Sequence, residues 1–284
     1  MAAWVPGDPE YRAFVGPFEQ YDVMGATQFA LLYALGLRQT NRLLDIGCGS
    51  LRAGRMIIAY LEPGRFTGIE PNTWLIEAAV AEQLGQDLIA IKEPVFRAAD
   101  SFDVSGLGTF DFVLAQSIAS HTGPRLVPKL LAGVRNALGV RGLAAVTFIH
   151  ADPQDRDYVH VEPNDEAAID WLYPGCYSYR HEVTAQFVAE AGLFGRPIPW
   201  FHPRQTWWLL ALDARVLPPP SFLRQLKGVS LAEGFEGSWR RPEDLPGAGE
   251  DFARAAYHCL PVPVRARAGK ALEAIRRMRE RRLP

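Results

Sequence analysis

A short apolar run that ends in two glycines one residue apart constrains the fold of this chain most. Residues 42–46 (Arg-Leu-Leu-Asp-Ile) are typical of a buried parallel strand, and Gly47 and Gly49 follow at once. Glycine lets the backbone turn sharply, and the helix predicted over Arg52–Leu61 presents free N–H groups at the same place. In an open parallel sheet, ligands bind beyond the carboxyl ends of the strands. The run therefore predicts an α/β fold with a ligand site at this turn.

The rest of the chain alternates between strand and helix patterns up to about residue 149. Further strands are predicted at Arg65–Ile69, Leu88–Ile91, Phe110–Leu114 and Leu143–Ile149, and helices at Tyr21–Leu37, Trp74–Leu84, Pro124–Leu138 and Glu182–Ala191. Two late apolar runs, Ile198–Phe201 and Thr206–Leu212, are joined by a short gap and predict an antiparallel pair. The pattern predicts a doubly wound, mostly parallel seven-stranded sheet with an antiparallel end strand.

Composition changes suggest how the chain is organised. Residues 1–40 are interpreted as a lead-in and a covering helix, residues 41–215 as the main domain, and residues 216–284 as a helical C-terminal extension. Residues 151–180 are rich in acids, prolines and tyrosines without a clean period, which predicts a lid-like insertion. The segment Val264–Leu283 has helical spacing and many arginines, so docking, phosphate binding and a solvated end helix all stay open for it.

The overall charge and the cysteines exclude several classes of protein. A formal net charge of −2 gives no global attraction to nucleic acid or membrane. The three cysteines are far apart and form no CxxC pair, so we expect no disulfide framework and no zinc site. The first residues lack a signal-peptide pattern, and no apolar run reaches the roughly 18 residues of a membrane span. A cytoplasmic protein without a bound metal is expected.

The glycine turn alone does not separate a dinucleotide dehydrogenase from other nucleotide-binding proteins. Two residues argue against a dehydrogenase. Asp45 occupies the strand end, where dehydrogenases mostly carry a small apolar residue, and Arg52 stands where G-x-G-x-x-G requires its third glycine.

Four segments, taken together, resemble the motifs of class I S-adenosylmethionine (SAM)-dependent methyltransferases over about residues 20–212. Leu43–Ser50 resembles the first motif, and Gly68-Ile69-Glu70-Pro71 resembles the segment whose acid holds both ribose hydroxyls. Ala99-Asp100-Ser101-Phe102 resembles the third motif, whose acid accepts from the adenine amino group, and residues 110–117 resemble the fourth. Leu51 departs from the pattern, since many members have a glycine there.

The resemblance implies SAM as the cofactor and a Rossmann-like methyltransferase fold. The residues that it assigns to the cofactor are Asp45, Gly47, Cys48, Gly49, Glu70, Pro71, Asp100, Ser101 and Gln116. Tyr21 and Gln28, on the helix before the first strand, are further candidates for covering the cofactor.

Methyl transfer is an in-line displacement, so the enzyme aligns acceptor, methyl and sulfur, and an oxygen or nitrogen acceptor also needs a base. We expect His121 in the loop after the fourth strand to be this base, with His150 as the second candidate and Asp152 as its orienting partner. Packing or capping is the alternative role for each histidine. The acceptor is expected to contact Tyr173, Tyr177, His202 and Arg204. Trp207 and Trp208 alternate along a strand, so one is predicted in the core and the other toward the pocket or solvent.

The leading hypothesis is a methyltransferase that acts on a small molecule, such as a sugar-containing or natural-product metabolite. A methyltransferase of nucleic acid or protein that uses the basic tail is the alternative, and a non-catalytic protein with the same fold is another. Residues 115–118 (Ala-Gln-Ser-Ile) lack the signature of DNA amino-group methylation, so nucleic acid is not favoured. The sequence leaves the oligomeric state open.

Overall fold

The structure is a computed structural model that describes residues 4–163, 165 and 170–226. All of these residues belong to one unit, Met1–Ser230. The predicted basic helix at Val264–Leu283 lies outside the described residues, so its role stays a prediction.

Nine strands occur in the part of the chain that the structure describes. They are β1 (Leu43–Ile46), β2 (Phe66–Ile69), β3 (Val95–Arg97), β4 (Phe110–Ala115), β5 (Leu138–Phe148), β6 (Val159–His160), β7 (Tyr177–Ser178), β8 (Phe194–Ile198) and β9 (Thr206–Ala211). Seven form one sheet in the order β3-β2-β1-β4-β5-β9-β8, and β6 pairs with β7 in a separate small ladder. Strand β9 is antiparallel to both neighbours, while β1 to β5 run parallel. The predicted seven-stranded, mostly parallel sheet with an antiparallel end strand is confirmed.

Helices cover both faces of this sheet. They are α1 (Tyr11–Phe14), α2 (Tyr21–Ala34), α3 (Gly54–Tyr60), α4 (Thr73–Ala79), α5 (Gln86–Lys92), α6 (Val127–Ala137), α7 (His181–Glu190) and α8 (Pro220–Leu226), with a π-helical turn at Val80–Leu84. Leu43 and Leu44, neighbours on β1, are both fully buried but belong to two different hydrophobic clusters. A strand that buries both faces needs apolar residues at successive positions, which explains the unbroken run at β1.

Two strand predictions were wrong in position. Leu88–Ile91 lies in helix α5, which has no buried residue, and the third strand is Val95–Arg97 instead. The periodicity of a short apolar run does not tell a helix from a strand. In this protein the residues that pair with β2 are those of β3, where Phe96 lies beside Gly68. The run predicted at Ile198–Phe201 leaves the sheet after Ile198, because the indole N–H of Trp200 donates to the Thr27 carbonyl at 3.1 Å.

The two neighbouring tryptophans on β9 are both core residues. Trp207 and Trp208 are 0% and 3% exposed and lie in different hydrophobic clusters. The prediction that one of them faces the pocket or solvent was wrong, since β9 is covered on both faces.

The second half of the predicted insertion is anchored to the loop after β4. The Leu172 N–H donates to the His121 carbonyl at 2.9 Å, and the Tyr177 N–H donates to the Ser120 carbonyl at 2.7 Å. Gly123 N–H donates to the Asp170 carbonyl at 2.8 Å. These backbone bonds bring residues 170–177 to the edge of the sheet where the β1 turn lies.

Candidate active site

A crevice of about 730 Å³ opens at the carboxyl ends of β1, β2 and β4. All nine residues predicted to hold the cofactor line it: Asp45, Gly47, Cys48, Gly49, Glu70, Pro71, Asp100, Ser101 and Gln116. The topology explains this meeting, because the carboxyl ends of neighbouring parallel strands lie at one edge of a sheet.

The turn after β1 has the geometry that the two glycines predict. Gly47 and Gly49 have φ values of +71° and +53°, in the region that favours glycine. The Gly47 and Cys48 N–H groups both donate to the Ile69 carbonyl, at 2.8 and 3.1 Å, which fixes the turn to the end of β2. A Cβ atom on Gly49 would lie 2.8 Å from Val15 Cγ1. The segment that contains Val15 can therefore approach the turn this closely only because Gly49 has no side chain.

The departure from the family pattern at Leu51 does not disrupt this turn. Leu51 adopts a φ of 55°, the conformation that a glycine would take there. Its side chain is fully buried in the core cluster that also contains Leu43 and Ile57, so burial of the side chain offsets the unfavourable backbone conformation.

Glu70 connects the end of β2 to the glycine turn. Its Oε2 accepts from the Gly49 N–H at 3.0 Å, and its Oε1 accepts from the Asn72 N–H and side-chain amide, each at 2.9 Å. The carboxylate is 6% exposed and faces the crevice. Helix α3 and strand β2 separate Gly49 from Glu70 in the sequence, and the pairing of β1 with β2 brings the two residues into direct contact.

Asp45 places a second acid in the crevice, and it is almost entirely buried. Burial raises the pKa of its carboxyl to about 7; the Glu70 carboxylate adds to the rise, and the Arg52 guanidinium opposes it. No described residue donates a hydrogen bond to the Asp45 carboxylate.

A buried polar cluster follows β4. The Gln116 Oε1 accepts from the Gln28 amide and from the Arg52 guanidinium, and the Gln116 Nε2 donates to the Ser117 hydroxyl at 2.6 Å. The His202 Nε2 lies 3.0 Å from the Gln116 Nε2. Gln28 therefore touches the crevice from helix α2, as the resemblance implied.

His121 lines the crevice with one ring nitrogen unoccupied. Its Nδ1 lies 2.8 Å from the Gly175 carbonyl and 3.0 Å from the Leu172 carbonyl, so this nitrogen carries the proton. Nε2 then has a free lone pair, and no described residue bonds to it. Burial lowers the pKa of the His121 imidazole, which keeps it neutral. The Tyr173 ring meets the imidazole edge to face, with centroids 4.9 Å apart.

The central part of the chain matches a known family. Residues 44–144 match the family described as "Methyltransferase domain". Over these residues the chain is similar to the methyltransferase domains of that family. The match covers the strands β1, β2, β3 and β4, and the start of β5, that build the crevice.

Several solved methyltransferase structures are similar to this chain at low sequence identity. The pyocyanin biosynthetic protein PhzM shares 14% identity over 70% of this chain and 57% of that chain, with a TM-score of 0.50. The SAM-dependent methyltransferase SibL, in its apo form, shares 16% over the same fractions, also with a TM-score of 0.50. Magnesium protoporphyrin IX methyltransferase (ChlM) from Synechocystis PCC 6803 shares 15% over 69% of this chain and 84% of that chain, with a TM-score of 0.49. No curated protein gives a significant sequence match.

His150 does not line the crevice, in contrast to the prediction that it is a second base. Its Nδ1 lies 2.7 Å from the Tyr179 carbonyl, and its Nε2 accepts from the Trp208 indole N–H at 2.9 Å. Both ring nitrogens are therefore used, and burial lowers the pKa of the imidazole to about 4. The orienting partner is the Tyr179 carbonyl and not Asp152.

Three of the four predicted acceptor contacts also lie outside the crevice lining, and only Tyr173 is part of it. Tyr177 is 1% exposed and belongs to the hydrophobic core. The His202 Nδ1 accepts the Gln205 N–H at 3.0 Å, so this ring holds its own turn and reaches the crevice only through Gln116. Arg204 is exposed beside that turn.

The N-terminal segment contributes to the crevice in a way that the sequence did not reveal. Phe14 and Val15 line it, and the Phe14 ring packs between Trp74 and Tyr173 at centroid distances of 5.3 and 5.1 Å. The Tyr21 hydroxyl donates to the Ser50 carbonyl at 2.7 Å. No periodicity marks residues 4–20, so only the contacts show that this segment covers the glycine turn.

Arg52 is a further crevice residue that the sequence did not identify. It entered the sequence argument only as a non-glycine, yet its guanidinium lines the crevice. The sequence did contain one indication of this role. An arginine stands shortly after the glycine turn, where a side chain is expected to have little contact with solvent.

Membrane-spanning helices and metal-binding clusters are both absent from the described ranges. No helix there is long and apolar enough to cross a membrane. No group of three or more His, Cys, Asp or Glu side chains in those ranges is arranged to hold a metal ion.

Proposed function

We propose that the crevice binds SAM through the nine predicted cofactor residues in its lining and that the protein methylates a small-molecule acceptor. The observation that supports this most is the meeting of Asp45, the glycine turn, Glu70 and Asp100 in one cavity. When bound, SAM supplies a methyl group on a sulfonium, which leaves by in-line displacement.

The fit of the cofactor rests on the chemistry of the crevice walls. Gly47 and Gly49 turn the backbone sharply at the crevice wall, and the absence of their side chains lets Ile118 and Val15 pack against the turn. Glu70 has two carboxylate oxygens at the crevice, which suits the paired hydroxyls of a ribose. Asp100 and Ser101 offer polar groups for the adenine end. Asp45, buried without a hydrogen-bond donor, suits a cationic group of the ligand.

His121 is proposed as the base that removes a proton from the acceptor. Its Nδ1–H is held by two carbonyls, which fixes the ring and leaves the Nε2 lone pair for the acceptor hydroxyl or amine. A lowered pKa keeps the imidazole in the neutral form that a base requires. His121 thus combines correct tautomer, correct charge and a place in the crevice wall.

The acceptor is proposed to be a small ring-containing metabolite, such as a sugar or a natural product. Phe14, Trp171 and Tyr173 supply flat apolar faces near His121. Aromatic faces of this kind pack on planar rings and on the apolar faces of sugars. The cavity of about 730 Å³ falls within the usual range for sites that hold small molecules.

Calorimetric titration of the purified protein with SAM, S-adenosylhomocysteine (SAH) and NAD tests the cofactor assignment. SAM and SAH are expected to bind, and NAD is not. Transfer of a labelled methyl group from SAM to a metabolite extract then tests the activity. NAD binding without SAM binding would contradict the proposal. SAM binding with no transfer to any extract would favour a non-catalytic protein.

A further inference from the structure

Ser117, just after β4, has a backbone conformation that serine rarely adopts. Its φ is +62°, in the left-handed region that favours glycine. The Ser117 N–H donates to the Thr147 hydroxyl on β5 at 2.8 Å, which holds this conformation in place. Strained residues of this kind cluster at functional sites, and Ser117 lines the crevice.

Two side-chain amides use both lone pairs of the Ser117 hydroxyl. The Gln116 Nε2 donates to it at 2.6 Å, and the Gln205 Nε2 donates to it at 2.8 Å. A serine hydroxyl has two lone pairs and one O–H donor. Its proton therefore remains for a further partner, and no described residue accepts it. Since Ser117 lies in the crevice wall, a bound ligand can supply the missing partner.

The orientation of both amides follows from their other contacts. The Gln116 Oε1 accepts from the Arg52 guanidinium, which has only donors, so the Gln116 nitrogen has to face Ser117. Gln205 is 7% exposed, and its Oε1 is buried without a partner. The opposite orientation would bury two N–H donors without a partner in place of that one oxygen, so Gln205 also presents its nitrogen to Ser117.

His121 adds the complementary group from the same loop. The His121 N–H donates to the Ile118 carbonyl at 2.9 Å, which closes a turn directly after Ser117. Both Ser117 and His121 line the crevice. Ser117 has a free proton, and the His121 Nε2 has a free lone pair. A hydroxyl group of a ligand matches this pair, because it offers one proton and two lone pairs.

Ser120 shows that an unpaired hydroxyl in this turn is not by itself a ligand contact. Its Oγ is also buried without a partner, but the residue is fully buried and lies outside the crevice lining. Ser117 is partly exposed at the crevice. Of these two hydroxyls, only that of Ser117 can meet a ligand, so Ser120 is the matched control.

We propose that the Ser117 hydroxyl donates a hydrogen bond to the atom that is methylated, and that this atom is a hydroxyl oxygen of the substrate. The inference rests on the proposed function. An amine nitrogen has one lone pair, which the new bond to the methyl carbon uses, so it cannot accept from Ser117 at the same time. A hydroxyl oxygen has two lone pairs, so it bonds to the methyl carbon with one and accepts from Ser117 with the other.

The bonds and charges of this step balance. The substrate oxygen forms a bond to the methyl carbon, and the bond from that carbon to the sulfonium sulfur breaks with its electron pair left on the sulfur. The His121 Nε2 takes the hydroxyl proton and later returns it to solvent. The products are a methyl ether, SAH and one proton. Ser117 is not consumed, since its hydrogen bond only orients the oxygen.

SAM with a ¹³C-labelled methyl group identifies the methylated atom before the substrate is known. The wild-type protein is incubated with this SAM and a metabolite extract, and the products are examined by ¹³C NMR. A methyl carbon on oxygen resonates well downfield of one on nitrogen or sulfur, and we expect the new signal in the O-methyl region. A signal in the N-methyl or S-methyl region would overturn the inference and leave the proposed function in place. If no methyl group is transferred, the proposed enzymatic function itself fails.

Three variants test the role of the Ser117 hydroxyl. Ser117→Ala removes the hydroxyl and keeps the backbone strain, whereas Ser117→Gly removes both. Each is expected to lower transfer roughly 3- to 10-fold at dilute extract, the range for one neutral hydrogen bond. Ser120→Ala should transfer at the wild-type rate. The affinity for SAH, measured by calorimetry, is expected to stay unchanged in all three variants, which shows that the crevice is folded.

Each of three other outcomes would overturn the role of Ser117. The first is a wild-type rate in Ser117→Ala. The second is a loss in Ser117→Ala with a wild-type rate in Ser117→Gly, since the backbone would then explain the effect. The third is a loss of SAH affinity in proportion to the loss of transfer, because Ser117 would then support the crevice as a whole.

Discussion

The two halves of the crevice differ in how directly the sequence describes them. In the cofactor half, formed by the ends of β1 and β2 and residues 99–101, every predicted residue lines the cavity. In the acceptor half, formed by the loop after β4, residues 170–175 and the late turn at 200–205, the outcome is mixed. Of the six residues predicted as bases or acceptor contacts, only His121 and Tyr173 line the cavity. Short motifs at strand ends are therefore better guides than single polar residues in loops.

The largest expected effect is a loss of methyl transfer in a histidine variant of the acceptor half, and it separates His121 from His150. His121→Ala should lower methyl transfer roughly 10²- to 10⁴-fold, the range for general acid–base catalysis, and leave SAH affinity unchanged. His150→Ala should leave transfer unchanged, because both of its ring nitrogens are bonded within the protein. The measurement is label transfer from SAM to the acceptor identified in the extract. Equal losses in the two variants would remove the distinction between these histidines.

The pH dependence of transfer sharpens the same point. Since burial lowers the pKa of His121, the imidazole stays neutral as the pH falls through its ordinary value of 6.5. The acid limb of transfer that belongs to His121 should therefore lie below pH 6.5. A limb above that value, absent in His121→Ala, would show that the base is in a more polar environment than the structure indicates.

The next prediction concerns the cofactor half. It compares Gly47 and Gly64, two glycines with nearly the same φ. A Cβ on Gly47 would collide with the Ile118 side chain at the crevice, whereas Gly64, at φ +70°, has open space around it. Gly47→Ala should weaken SAH binding by about 10-fold or more, in addition to the strain of a positive φ. Gly64→Ala should cost about 1 kcal/mol of unfolding free energy and leave SAH binding unchanged. Calorimetry and urea unfolding measure the two quantities, and a binding defect in Gly64→Ala would mean that strain alone explains the result.

A further prediction concerns Asp45, whose pKa of about 7 in the folded protein exceeds its ordinary value of 3.8. Between these values the folded state holds a proton that the unfolded chain has released, so this residue makes stability fall as the pH rises. Asp45→Asn removes the titration. The variant should therefore gain stability relative to the wild type from about pH 4 to 7, by at most about 1.4 kcal/mol per pH unit, and then level off. Urea unfolding across this range gives the difference, and a flat difference would mean that Asp45 is better solvated than its burial indicates.

Whether a strand could be predicted from the sequence depended on how apolar its residues are relative to the neighbouring segments. The strand predicted at residues 42–46 was found at Leu43–Ile46, because a strand buried on both faces needs apolar residues at successive positions and its leucines supply them. The strand at Val95–Arg97 was missed, because its residues are half exposed and a more apolar run stands just before it in α5. The end of β8 was misplaced for a related reason, since Trp200 is apolar but packs against helix α2 and not in the ladder.

The sequence by itself determined the sheet, the glycine turn and the acids at successive strand ends. These follow from chain direction, because parallel strands that are joined in order must deliver their carboxyl ends to one edge. Only the tertiary structure decided which histidine has a free nitrogen, that Phe14 covers the turn, and that Arg52 lines the crevice. The hydrogen bonds of a side chain depend on carbonyls and rings from distant segments, such as the Gly175 carbonyl for His121 and the Tyr179 carbonyl for His150. The local spacing of residues does not identify those partners.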